Sequence, residues 1–336
     1  MSLVDVPHDL QLVNRRGIRV GINPLGATWT SCQIPVAGGL REILLGSRNL
    51  ATMLAGDGYL GATIGRYAGR IAQGRFDDHQ LDINQPPHCL HGGQGGFSRR
   101  LWQPVPSLTD AQQVTLRLSS PDGDQGFPGT LDVQVSFRLD DDDSFTISLA
   151  ALSDAATPCN LTNHAYFNLN GGNGDDGLNQ LLRVHAQRYQ PVGADGIPDA
   201  PPAPVAGTGF DFQAARLLST DYLRDAQQQQ VGGYDHSFLL DNDGALALAA
   251  ELQSADGQVG LRLHTNQPAL HLYSGNFLAG IEKRDGSAHA NNAGIALEPQ
   301  CPPDSPNRGE GILHPGEVYL HTTRIEFLVP GGLPDA

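Results

Sequence analysis

Basic residues are scarce in this 336-residue chain, which has 21 lysines and arginines against 36 aspartates and glutamates and a formal net charge of −15 at pH 7. A strongly acidic surface repels the phosphates of nucleic acids and of anionic membranes. We therefore expect no nucleic-acid partner and no membrane partner. A small neutral molecule is the substrate that this charge favours.

Cysteines are equally few and are widely separated, at Cys32, Cys89, Cys159 and Cys301. Disulfide scaffolds are small and rich in cysteine, so free thiols in a reducing compartment are the better interpretation. No apolar run approaches the ~20 residues that span a bilayer. The N-terminus has no basic segment followed by an apolar one, so no signal peptide is visible and a cytoplasmic location is expected.

Several motifs of catalysis and cofactor binding are missing. The chain has no Gly-x-Ser-x-Gly, no His-Glu-x-x-His and no Cys-x-x-Cys pair. Gly172 to Gly177 match Gly-x-Gly-x-x-Gly, but no apolar helix pattern follows, so a polar loop is expected there. The four aspartates 140–143 lie between two alternating runs and favour a hairpin turn over a metal site. We expect neither a metal nor a cofactor.

The dominant pattern of the chain is alternation of apolar and polar residues, which is typical of half-buried antiparallel strands. It recurs in six runs, at residues 114–118, 131–137, 145–149, 259–263, 269–273 and 324–329. Helical periodicity is weak, and one short helix is expected over residues 220–230 with Thr220 as its cap. No linker divides the chain. An all-β sandwich or barrel forming a single domain over residues 1–336 is predicted.

Against this background, a few polar side chains stand within strand-like or glycine-rich surroundings. A structural role is the simpler explanation for each one alone, but a buried carboxylate needs a partner or a function, and together they suggest proton transfer on a neutral polyol. They lie in five segments: Gly65-Arg-Tyr-Ala-Gly-Arg-Ile71, Leu90-His-Gly-Gly93, Asn160-Leu-Thr-Asn-His-Ala-Tyr-Phe-Asn-Leu169, Gly233-Tyr-Asp-His236 and Gly294-Ile-Ala-Leu-Glu-Pro-Gln300.

These segments resemble the aldose 1-epimerase family, also called galactose mutarotases. Further matches follow in the family's order along nearly the whole chain: Gly96-Phe97 with Trp102, Gly209-Phe-Asp-Phe212, Tyr273-Ser-Gly-Asn-Phe277, Pro303-Asp-Ser-Pro-Asn307 and Pro315-Gly-Glu-x-Tyr319. The resemblance implies a large antiparallel β-sandwich of the galactose mutarotase type, an isomerase that interconverts the α and β anomers of free aldoses such as galactose and glucose.

The resemblance also implies residue roles. Glu298 matches the general base and His164 the general acid, while Arg70, His91 and Asp235 match sugar-binding groups. His271 stands where many members have a sugar-contacting glutamine, and it is expected to bind the substrate. Phe167 and Phe277 are candidates for stacking on the sugar. A monosaccharide ligand and a monomer or homodimer are expected.

Two further departures bear on sugar preference. Gly69 stands where the family commonly has asparagine, and the stretch from Arg70 to His91 is a few residues short. Three alternatives remain open: a hexose-6-phosphate 1-epimerase, a non-catalytic carbohydrate-binding module and a glycoside hydrolase. The first would favour extra basic residues, the second needs neither Glu298 nor His164, and the third needs two carboxylates.

Overall fold

Antiparallel strands build nearly all of the structure, a computed structural model that describes residues 8–47, 49, 52, 55 and 57–329. Residues 1–7, where a targeting segment would begin, lie outside the described residues. Among the described residues, no helix is both long and apolar enough to span a membrane.

The largest sheet has nine strands. In spatial order they are β10 (Gln103–Pro104), β11 (Gln113–Ser120), β12 (Leu131–Leu139), β13 (Ser144–Ser153), β27 (Tyr319–Leu328), β23 (Gly260–Thr265), β22 (Ala247–Ser254), β17 (Gln180–Val184) and β20 (Arg216–Leu217). Five of the six alternating runs form strands of this sheet, as predicted.

The sixth alternating run, residues 269–273, lies in a six-stranded sheet. Its order is β16 (Tyr166–Phe167), β25 (Ile295–Gln300), β24 (Ala269–Tyr273), β21 (Asp235–Leu239), β18 (Arg188–Tyr189) and β19 (Ala203–Pro204). Its inner face packs on the nine-stranded sheet, because Leu270, Leu272 and Leu297 share one buried cluster with Val135 and Ile325. The predicted all-β sandwich is therefore confirmed.

Smaller sheets surround these two. A four-stranded sheet consists of β1 (Leu10–Val13), β2 (Arg19–Asn23), β3 (Thr28–Val36) and β4 (Gly39–Glu42). Four two-stranded ribbons pair β5 (Thr63–Ile64) with β15 (Thr162–Asn163), β6 (Arg70–Ile71) with β9 (Cys89–Leu90), β7 (Arg75–Phe76) with β8 (His79–Gln80), and β14 (Thr157–Pro158) with β26 (Ile312–Leu313).

The predicted helix is shorter than expected and has a different cap. The α-helix spans Ala226–Val231, and the side chain of Asp225 caps it by accepting a hydrogen bond from the backbone N–H of Gln227. Residues 220–224 form turns instead. Asp225 is the N-cap, and not Thr220, because aspartate is preferred over threonine at this position and because residues 220–224 form turns.

Short 3₁₀ helices connect several strands. They span Asp57–Tyr59, Ala72–Gly74, Phe97–Arg99, Pro106–Leu108, Asp124–Gly126 and Ser305–Arg308. Aspartates 140–143 form the turn between β12 and β13, and residues 172–177 form a loop, both as predicted.

Arg66 ties the loops beside the nine-stranded sheet together. Its guanidinium is 2% exposed and donates to the backbone carbonyls of Ser120, Pro121, Pro128 and Gly129 at 2.7–3.0 Å. A buried cation needs such acceptors because an unsatisfied charge in the interior is costly. Of the two arginines in the Gly65–Ile71 segment, this one is structural.

Candidate active site

A cleft of about 210 Å³ opens on the outer face of the six-stranded sheet. Two larger hollows, of about 460 and 680 Å³, lie against the nine-stranded sheet, where alternating strand side chains line them. The smaller cleft is nevertheless the candidate active site, because buried ionisable side chains converge there from several segments.

Strand register places the cleft residues in rows. Ser237, His271 and Glu298 are direct neighbours across β21, β24 and β25, so all three point to the same face. The next row contains Asp235 opposite Tyr273. Since side chains alternate along a strand, the residues between them face the sandwich core instead.

Glu298 and His164 meet at the centre of the cleft. Oε1 of Glu298 lies 3.5 Å from Nε2 of His164, and the two residues are 1% and 3% exposed. Oε2 of Glu298 and Nδ1 of His164 have no hydrogen-bond partner among the described residues. The pair is thus held close together, with a polar atom on each side chain left for a ligand.

Burial sets the protonation of this pair. It raises the pKa of Glu298 well above its ordinary value, with a further contribution from the negative charge of Asp235. Burial also lowers the pKa of His164 to about 3. Both shifts favour the uncharged forms of the side chains, in which the pair holds one proton and the carboxyl carries it.

Two residues of the β6–β9 ribbon, Arg70 on β6 and His91 directly after β9, complete the wall above the sheet. Nε of Arg70 donates to Oε1 of Gln85 at 2.7 Å, and its Nη1 lies 3.4 Å from Oδ2 of Asp235. The backbone N–H of Gly69 donates to Nδ1 of His91 at 3.1 Å. Burial, helped by the nearby charges of His164 and Arg70, lowers the pKa of His91 well below its ordinary value. His91 is therefore neutral and carries its proton on Nε2, as a donor.

Asp235 is the acceptor of the cleft. Its Oδ1 lies 2.8 Å from Nε2 of His271, whose Nδ1 lies 2.9 Å from Oγ of Ser237. Burial raises the pKa of Asp235, but Arg70 and the hydrogen bond from His271 outweigh burial and hold it below its ordinary value. The surroundings of Asp235 thus favour its ionised form, while burial in the same cleft favours the protonated form of Glu298.

All six residues predicted from the sequence line this one cleft, namely Arg70, His91, His164, Asp235, His271 and Glu298. His271 differs from its expected role in one respect, because both of its ring nitrogens already have protein partners. Phe277 is 73% exposed at the rim, whereas Phe167 is buried against Trp29 in the core and cannot stack on a ligand. Phe167 lies in the paired part of β16, where alternation turns it inward.

Several lining residues were missed by the sequence reasoning: Tyr59, Gln85, Tyr166, Tyr273 and Gln300. Tyr166, Tyr273 and Gln300 each follow a predicted residue by two positions. Because side chains two positions apart on a strand share a face, the alternation of strands could have predicted these three. Tyr59 ends a 3₁₀ helix and Gln85 lies in a loop, and no such signal exists for either.

No group of three or more histidine, cysteine, aspartate or glutamate side chains that could hold a metal ion occurs in the described part of the chain. The polar groups of the cleft are instead arranged in pairs, as the hydrogen bonds and ion pairs above describe.

The sequence matches known proteins over nearly its whole length. The model of the aldose 1-epimerase family matches residues 8–326. An aldose 1-epimerase of Haemophilus influenzae is 42% identical over 332 residues, which cover 95% of each chain. Human galactose mutarotase is 36% identical over 321 residues, with 93% of this chain and 92% of the human protein covered.

Solved structures agree in fold. A galactose 1-epimerase from Lactobacillus acidophilus superposes with a TM-score of 0.81 at 31% identity, covering 96% of this chain and 94% of its own. An aldose epimerase homologue from C. elegans gives a TM-score of 0.87 at 26% identity, covering 96% and 98%.

Proposed function

The chain belongs to the aldose 1-epimerase family, and we propose that it interconverts the α and β anomers of free aldoses, with Glu298 and His164 as the acid–base pair. The observation that supports these roles is the buried contact of 3.5 Å between the two side chains at the centre of the cleft. Galactose and glucose are the proposed substrates.

Anomers interconvert by opening the sugar ring. The C1 hydroxyl loses its proton to a base, the ring oxygen O5 gains a proton from an acid, the C1–O5 bond breaks and C1=O1 forms. Rotation about C1–C2 then presents the other face of the aldehyde, and closure reverses both proton transfers. One carboxylate near O1 and one imidazolium near O5 suffice, and each contributes ~10²–10⁴-fold.

The directions of the two pKa shifts fit this cycle. Opening starts from ionised Glu298 and protonated His164, which arise when the single proton of the pair moves across the 3.5 Å between them. Opening ends with protonated Glu298 and neutral His164, the distribution that burial favours. Burial disfavours the ion pair of ionised Glu298 and protonated His164. It therefore favours the step in which Glu298 takes a proton from the sugar and His164 gives one to it.

Binding is proposed to rest on the fixed donors and acceptors around this pair. Arg70 and neutral His91 donate to sugar oxygens, and ionised Asp235 accepts from sugar hydroxyls. Such preset groups can also stabilise the charge that develops on O5 as the ring opens. The exposed ring of Phe277 offers an apolar face at the rim.

The alternatives find less support. A phosphorylated sugar would need free cations, but Arg70 is the single arginine or lysine among the described lining residues and it is paired with Asp235. For hydrolysis of glycosides, Asp235 would be the second carboxylate, yet Arg70 and His271 already engage both of its oxygens. A module that only binds sugar has no need to bury a carboxyl and an imidazole 3.5 Å apart, because burying ionisable groups is costly.

The test is polarimetry of freshly dissolved α-galactose and α-glucose, with the spontaneous rate subtracted. Glu298→Gln and His164→Asn should each lower kcat/KM by about 100-fold or more, equivalent to about 3 kcal/mol of transition-state stabilisation. Either variant at the wild-type rate would refute the role of that residue.

A matched control pair exists outside the cleft. Glu251 and His185 lie 3.1 Å apart beside the nine-stranded sheet. Glu251→Gln and His185→Asn make the same chemical changes there, and they should leave the rate of mutarotation unchanged.

A further inference from the structure

Three buried side-chain atoms of the cleft lack a hydrogen-bond partner among the described residues. Two belong to the acid–base pair: Nδ1 of His164 and Oε2 of Glu298. The third is Oε1 of Gln300. An unsatisfied buried acceptor costs about 1–3 kcal/mol, so a native protein keeps one where a ligand or ordered water completes it.

Strand β25 places Gln300 beside the reacting groups. Gln300 follows Glu298 by two residues and therefore points to the same face, roughly 7 Å further along the strand. Its side chain is 1% exposed and lines the cleft together with Gly69 and Pro303. The carboxamide is thus a wall of the sugar site and has no function in the proposed acid–base cycle.

Gly69 leaves room in front of this carboxamide. A Cβ at Gly69 would lie 3.6 Å from Nε2 of Gln300 and 3.8 Å from the nearest atoms of Pro303, which is ordinary contact distance. A side chain would therefore fit there without collision, and this chain has none. The φ of +82° suits glycine and is also tolerated by asparagine, the residue that the resembling family commonly has.

We propose that Gln300 is a further substrate-binding residue, whose carboxamide oxygen accepts a hydrogen bond from a sugar hydroxyl in the cleft, while the space that Gly69 leaves beside Nε2 admits the sugar. The inference rests on the proposed function, since it deepens how the same cleft holds its sugar. A bound hydroxyl completes the acceptor that the protein leaves open. The sugar displaces solvent from the same space. The gain in affinity is therefore the difference between a hydrogen bond of Gln300 to the sugar hydroxyl and one to water.

Gln300→Met separates this role from a structural one. Methionine keeps the length and volume of the side chain and removes the orphaned oxygen, so thermal stability should stay equal or rise. The kcat/KM for galactose should fall by about tenfold or more, which corresponds to about 1.4 kcal/mol. Unchanged kcat/KM, or a loss of activity that merely follows a lower Tm, would overturn the proposal.

Gln228→Met is the matched control. Gln228 is also fully buried with an unpartnered Oε1, but it lies in the helix Ala226–Val231, outside the cleft. The same substitution there should leave kcat/KM for galactose unchanged.

A series of monodeoxygalactoses identifies the contacted hydroxyl. The deoxy sugar that lacks this hydroxyl should be turned over equally well by wild type and Gln300→Met, while the other deoxy sugars keep the tenfold difference. The same difference for every deoxy sugar would contradict a direct contact. If the wild-type protein itself failed to accelerate mutarotation, the proposed function would fall instead, so the two failures are distinguishable.

Discussion

At the scale of single residues, the cleft shifts the pKa values of two carboxyl groups in opposite directions. Arg70 and His271 lower the pKa of Asp235 below its ordinary value, whereas burial beside His164 raises the pKa of Glu298 well above its own. The charge of Arg70 and the hydrogen bond from His271 account for the difference. In the proposed cycle, Asp235 is a fixed acceptor and Glu298 exchanges a proton.

The pH dependence of the reaction should follow the single proton of the pair. As pH falls toward the lowered pKa of His164, about 3, the pair gains a second proton and neither base remains. As pH rises through the raised pKa of Glu298, the pair loses its proton and no acid remains. A bell-shaped profile of kcat/KM with a broad plateau between these limits is expected.

Two variants identify the group that is responsible for each limb of the pH profile. His164→Asn should remove the acid limb from the residual activity, and Glu298→Gln should remove the alkaline limb. Either limb persisting unchanged in its variant would assign it to another group.

We expect His271 to affect substrate binding through Asp235, since its two nitrogens contact Asp235 and Ser237. His271→Gln should shift the ratio of kcat/KM between galactose and glucose more than it lowers the better of the two. In the wild type the two sugars should differ by less than ~100-fold, or about 2.7 kcal/mol. Ser237→Ala, which frees Nδ1 of His271, should shift the ratio in the same direction. An unchanged ratio in both variants would mean that this chain of contacts does not reach the sugar.

At the scale of elements, loops position the site as much as strands do. The ribbon of β6 and β9 carries Arg70 and ends next to His91, while the buried Arg66 holds four carbonyls of the neighbouring loops. Two arginines four residues apart therefore do different work. Arg70 lines the cleft, and Arg66 supplies the hydrogen bonds that irregular backbone cannot make with itself.

Arg66→Met should destabilise the protein by about 3 kcal/mol or more, because several buried carbonyls lose their donor at once. The urea midpoint measures this loss. Arg117→Met removes an exposed arginine of β11 and should change stability by less than about 0.5 kcal/mol. A similar midpoint for both variants would contradict the anchoring role of Arg66.

At the scale of the whole molecule, the family, the isomerase class and the all-β sandwich that the sequence indicates are confirmed by the comparisons and the fold. The single domain over residues 1–336 stays a prediction, which one cooperative unfolding transition would support. The acidic surface and the neutral substrate are consistent with each other, because a neutral sugar needs no electrostatic steering.

Activity should survive exhaustive treatment with a chelator and need no added nucleotide, because the proposed cycle uses side chains alone. Polarimetry before and after dialysis against the chelator measures this. Activity that returns only when a divalent ion is added back would contradict the proposed chemistry.

The sequence by itself determined what is periodic or ordered along the chain. Alternation predicted the strands, and the order of motifs predicted Glu298, His164 and the residues that meet them. Only the tertiary structure decided which polar atoms remain without partners and which are already engaged. It alone shows that Arg66 is structural while Arg70 lines the cleft, and that Phe167 lies in the core. It also shows that both ring nitrogens of His271 have partners and that Oε1 of Gln300 has none among the described residues. The reason is physical: a hydrogen-bond partner is a neighbour in space, and in an antiparallel sandwich most such neighbours are distant in sequence.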